Sequence, residues 1–140
     1  MLDKQVRSEY EEERESELYV ITKSKDLGNY IFLITEKSPK KFRFTLISRL
    51  QNLILSVVEN LYRANMIFIK NSNDNKRIAQ RKQYQKNAYV DLKVLNYIAW
   101  MAREQGCILP KQYEQISIQS SEVIRLLIAW SQSDQNRYKG

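Results

Sequence analysis

The sequence predicts an all-α fold, an antiparallel up-down four-helix bundle. Glycine occurs three times and proline twice in 140 residues, too few for the turns of a β sandwich or barrel. Leu, Ile, Glu, Gln, Lys and Arg dominate the composition, and most of these favour helix. Four stretches of roughly 20 to 30 residues carry apolar side chains three and four apart, and short breaks join them. A chain of this length suits one domain with one core. Residues 18–133 are expected to form it, after an acidic leader (1–17) and before a polar tail (134–140).

The first helix is expected over Leu18–Lys37, with Val20, Leu27, Ile31 and Ile34 at helical spacing and Tyr30, Phe32 and Leu33 beside them. Gly28 weakens it slightly. The run EYEEERESE before it leaves two outcomes open, a helix extension or a disordered segment, and its like charges favour fraying. SPKK breaks the chain, with Ser38 placed to cap and Pro39 to take the first position of the second helix. That helix is expected over Pro39–Ile69. NSNDN (71–75) is dense in turn formers. The third helix is expected over Asn75–Gln105, with Ile78, Ala88, Leu92, Leu95, Ala99 and Ala102 inward and Gly106 as its stop. The fourth opens at Pro110 and reaches Ser133, with Tyr113, Ile116, Val123, Ile124, Leu127 and Trp130 apolar.

The second helix contains LILSVVENLYRANMIFI (53–69), with only Glu59 and Arg63 charged. A membrane span needs about 20 mostly apolar residues, and this run is shorter and interrupted. Ser56, Glu59, Asn60 and Arg63 form one polar stripe, with Glu59 and Arg63 spaced for an i, i+4 ion pair. Two apolar lines share the remaining circumference: Leu50, Ile54, Val57, Leu61 and Phe68, and Leu46, Leu53, Tyr62, Met66 and Ile69. A bundle helix normally shows one stripe to the core. The second line is therefore expected to face another subunit, against the plainer reading that Tyr62 and Met66 cover a loop or a neighbouring helix.

Chemistry is sparse. The chain has one cysteine, Cys107, and no histidine. Ser-His and Cys-His catalysis is excluded within a single chain, and the usual zinc ligands are missing. Asp91, Glu104, Glu114 and Glu122 are scattered, and Ser56 and Ser120 have no evident base, although a Ser-Lys dyad stays open. No catalytic, metal or cofactor site is expected. The acidic, polar start resembles neither a signal nor a transit peptide, so a cytoplasmic, bacterial-type protein is expected.

Charge is the stronger signal. Residues 1–22 hold three basic and seven acidic residues; the remainder holds 20 basic and nine acidic, a net charge of +11. A strongly basic body favours polyanion partners, although solubility alone explains basicity equally well. One basic set surrounds the first break: Lys37, Lys40, Lys41, Arg43 and Arg49. A second lines the next: Arg63, Lys70, Lys76, Arg77, Arg81, Lys82 and Lys86, with Asp74 the only acid among them. The spacings 77/81 and 82/86 stack cations on neighbouring turns, a row suited to phosphates. The competing reading is a solvated face. Tyr84 and Tyr89 interleave with the row, where they would stack on bases or, more ordinarily, pack half-buried.

These segments resemble a known family. LGNYIFLITEKSPKKFRF, with Leu27, Tyr30 and Ile31, leads through a Pro-Lys break to LISRLQNLILSVVENLYRANM. AYVDLKVLNYIAWMAREQGCI and LPKQYEQISIQSSEVIRLLIAWSQS follow. The order and helix ends look like the accessory variability determinant proteins of diversity-generating retroelements, over residues 18–133. A more distant likeness is to proteins encoded in intervening sequences of bacterial 23S ribosomal RNA genes, whose second helix tends to end in Asn-Ile-Ala-Glu-Gly. Here Asn60-Leu61-Tyr62-Arg63-Ala64 lacks the Glu and Gly, which favours the first likeness. The resemblance implies a barrel-like homopentamer that binds RNA or DNA and partners a reverse transcriptase making mutagenised cDNA on template RNA. An alternative is a helical module that binds an acidic protein.

Overall fold

A computed structural model describes the backbone of residues 4–138 and the side chains of residues 19–138. The chain forms α1 (Lys4–Thr35), a 3-10 turn (Lys40–Phe42), a π-helical turn (Arg43–Ile47), α2 (Ser48–Met66), α3 (Asn75–Glu104) and α4 (Pro110–Arg137). No strand occurs among the described residues. Contacts run round a ring, α1 to α2, α2 to α3, α3 to α4 and α4 back to α1, with α2 and α3 most extensively paired. Short connections between consecutive helices make this an up-down bundle.

The predicted stripes meet in the centre. Leu27 and Ile31 of α1, Leu50, Ile54 and Leu61 of α2, Leu92 and Leu95 of α3, and Ile116 and Leu127 of α4 are all buried. Each such side chain contributes roughly 1.5–3 kcal/mol by leaving water. Gly28 faces Ile54, and a Cβ built there would sit 3.4 Å from Ile54 Cγ1. The small residue thus lets α1 and α2 approach closely.

Four local features depart from the sequence reading. The second helix does not start at Pro39: a 3-10 turn and a π turn intervene, and regular α-helix begins at Ser48. Ser38 caps nothing, because its hydroxyl instead donates to the Cys107 carbonyl (2.9 Å) and ties this corner to the α3–α4 connection. The second helix also stops at Met66, and Ile67 is extended (φ −86°, ψ 105°). The cause is two arginines of α3, since Arg81 Nη1 donates to the Ile67 carbonyl (3.2 Å) and Arg77 Nη1 to that of Phe68 (3.0 Å). Finally, α4 runs on to Arg137.

The other ends follow the sequence. Asp74 caps α3 by accepting from the Arg77 N–H. Gly106, at φ 72°, turns the chain after α3, a conformation open to glycine at little cost. The Leu109 N–H donates to Gln112 Oε1 (2.8 Å) at the start of α4. No helix among the described residues is long and apolar enough to cross a membrane.

Candidate nucleic-acid interface

The polar stripe of α2 faces α3. Ser56 Oγ donates to Asp91 Oδ2 (2.6 Å). Asn60 Nδ2 donates to the Ser56 carbonyl (2.9 Å) and, at 3.4 Å, to the same Asp91 oxygen. Among the described residues no ion pair joins Glu59 to Arg63; both side chains are exposed. Ser56 and Asn60 thus form a hydrogen-bonded seam with α3, while Glu59 and Arg63 stay in solvent.

This seam also bears on catalysis. Ser56 is engaged by a carboxylate, and Ser120 Oγ donates to the Ser117 carbonyl. Cys107 is buried, and burial pushes its thiol pKa up, with the Ser38 hydroxyl opposing that shift. A raised thiol pKa disfavours the nucleophilic thiolate. No cluster of three metal-ligating side chains occurs among the described residues.

The basic residues divide into two groups at opposite ends of α2. Lys40, Lys41, Arg43 and Arg49 are exposed around the α1–α2 connection. Arg63, Lys70, Lys76, Arg77, Lys82 and Lys86 are exposed around the α2–α3 connection and the first turns of α3. Nineteen residues of α2 lie between the two ends, about 28 Å of helix. The structure thus separates two clusters that share no single surface row.

Arg81 is the correction within the second cluster. Its spacing suggests a phosphate-facing cation, yet it is 5% exposed. Its Nε and Nη2 donate to the two carboxylate oxygens of Asp134 at 2.7 and 2.9 Å. Gln85 Nε2 donates to the same carboxylate (2.8 Å), and the guanidinium carbon stands 5.1 Å from the Trp130 ring centroid. This bidentate pair neutralises both charges, as a buried pair must to be tolerated. The sequence hides it because Asp134 lies 53 positions away, in a stretch that reads as tail.

Arg77 remains exposed but is partly engaged, by Asp74 (3.6 Å) and the Phe68 carbonyl. Asp74 and Asp134 thus each meet an arginine. Lys82 and Lys86 border a groove of about 530 Å³ between α3 and α4, whose apolar wall includes Ile69, Ile78 and Ile128. Tyr84 and Tyr89 are half-buried against the core, so the packing reading holds for both.

The expected subunit-facing line is also redistributed. Ile69 is 8% exposed, buried within its own chain because the backbone has left helical register before it. Leu46 and Leu53 pack half-buried on their own core. Tyr62 and Met66 are exposed, at 56% and 67%. Phe68, expected inside, is exposed for the same reason that Ile69 is not. The sequence reading missed a second apolar row on α3: Val90, Val94, Tyr97 and Met101 are all exposed. Their spacing of four, three and four puts them on one face, and that periodicity was the available signal. It also passed over Phe44, the most exposed large apolar side chain described, at 88%.

A comparison with protein-family models matches residues 18–133 to the bAvd-like family. The matched span takes in α2, α3, the side-chain-described part of α1 and most of α4. A comparison with curated proteins finds no match.

Proposed function

The chain belongs to the bAvd-like family, and from that premise we propose that it is a non-catalytic, nucleic-acid-binding accessory protein of a diversity-generating retroelement. In this reading it works in the bacterial cytoplasm with a reverse transcriptase and its template RNA, in mutagenic cDNA synthesis. The family match, spanning the bundle, carries the proposal. Two exposed basic clusters with few free acids support the nucleic-acid part, since phosphate contacts need cations rather than any catalytic group. No cofactor is required.

The chain also assembles with itself in this proposal, as a ring-like homopentamer. Tyr62 and Met66 on α2 and the row Val90, Val94, Tyr97 and Met101 on α3 are the exposed apolar surfaces that subunits would cover. Exposed apolar patches of this kind mark interaction sites.

The test is reconstitution with a reverse transcriptase and template repeat of a diversity-generating retroelement. Full-length mutagenised cDNA is expected only when the chain is present. Equal cDNA yield and mutation frequency without it would overturn the reading. Binding to an acidic protein alone, with no effect on cDNA, would favour the interaction-module alternative.

A further inference from the structure

The turn between α1 and α2 carries a side chain that packing does not explain. Phe42 is half-buried against the core and Ile47 is buried, yet Phe44 between them is 88% exposed. It sits in the π-helical turn Arg43–Ile47, a rare backbone form frequent at functional sites. Lys40, Lys41 and Arg43 are exposed in the same short stretch. Beside the ring lies a recess of about 410 Å³. Thr35, Ser38, Ser48 and Gln51 bring hydroxyl and amide groups to its wall, and Glu36 is the one carboxylate on it.

We propose that this corner is a stacking platform for single-stranded nucleic acid, with one unpaired base lying on the Phe44 ring and the flanking phosphates meeting Lys40, Lys41 and Arg43. The inference rests on the nucleic-acid reading above and names the form of nucleic acid and the residue that selects it. An aromatic face among cations matches a base between phosphates, and every base has a π face to offer. A duplex hides those faces in its stack, so only an unpaired strand gains from the ring. The recess separates this partner from a lipid surface. Thr35, Ser38 and Gln51 on its wall already hydrogen-bond within the chain, and a wall of such polar groups is a poor seat for an acyl chain. An acidic protein would use the cations but leave the ring unexplained.

The experiment compares a short oligouridylate with a sugar-phosphate chain of equal length lacking bases, by fluorescence anisotropy at one salt concentration. Phe44→Ala is expected to weaken oligouridylate binding roughly five- to hundredfold and leave the abasic chain unchanged. Phe44→Trp is expected to restore the difference. Because Phe44 is exposed, neither substitution should move the thermal midpoint, which is checked alongside. Equal binding of oligouridylate by wild type and Phe44→Ala, while Lys40→Glu and Lys41→Glu weaken it, would overturn the platform and leave the nucleic-acid reading standing. No binding of either probe by the wild type at low salt would overturn both. Phe44-dependent binding to phosphatidylserine vesicles, with oligouridylate insensitive to Phe44, would overturn the platform in favour of a membrane contact.

Discussion

Arg81 shows how the same residue type serves two ends. Lys82, one position on, points to solvent, whereas Arg81 is sealed against Asp134, Gln85 and Trp130. Removing one member of a buried pair strands the other charge, at a cost of about 3–5 kcal/mol. Arg81→Ala and Asp134→Ala should therefore each lower stability to urea by that amount. Arg81→Lys should not restore it, because an ammonium lacks the planar fork that meets both carboxylate oxygens. A loss under 1 kcal/mol for Asp134→Ala would show that the pair is open to water. Charge reversal at Arg81 is thus a folding lesion rather than a probe of binding; Lys76, Lys82 and Lys86 are the residues that test the second cluster.

The helices differ in how their ends are made. The start of α3 depends on the Asp74 side chain. Asp74→Ala should cost about 1 kcal/mol, and Asp74→Asn should retain most of the cap, since the two residues serve almost equally. Equal losses for both would mean that the ion pair with Arg77, rather than the cap, holds this end. The bounds of α3 were legible because Asp74, Asn75 and Gly106 act locally, although Arg81 and Gln85 interrupt the apolar period between Ile78 and Ala88. The end of α2 was not, because two arginines from α3 take the carbonyls of Ile67 and Phe68, just past its last turn. Periodicity continued through Ile69, and only the fold reveals the competing hydrogen bonds. The same limit applies to the corner after α1. The Ser38–Cys107 hydrogen bond spans 69 positions, so a residue that reads as a cap is instead a tie between connections.

The whole molecule is a bundle with a cation cluster at either end of α2 and apolar rows on α2 and α3. Residue type and spacing revealed both clusters, one at each break flanking the second helix, but the withdrawal of Arg81 into the core had no signature in a list of cations. The proposed self-assembly is tested by light scattering at micromolar concentration. A mass near five times the 16.7 kDa chain is expected, and substitution of both Tyr62 and Met66 by Glu should lower it. A monomeric wild type would contradict the subunit reading of these surfaces. The central claim, that exposed cations at both ends hold a nucleic-acid backbone, is tested most directly by titrating labelled single-stranded RNA at several salt concentrations. Log affinity should fall linearly with log salt, and each phosphate contact removed should reduce the slope by about 0.7 for a single strand. Reversing Lys40 and Lys41, and separately Lys82 and Lys86, is expected to reduce both affinity and slope, whereas binding that ignores salt and all four substitutions would contradict the account.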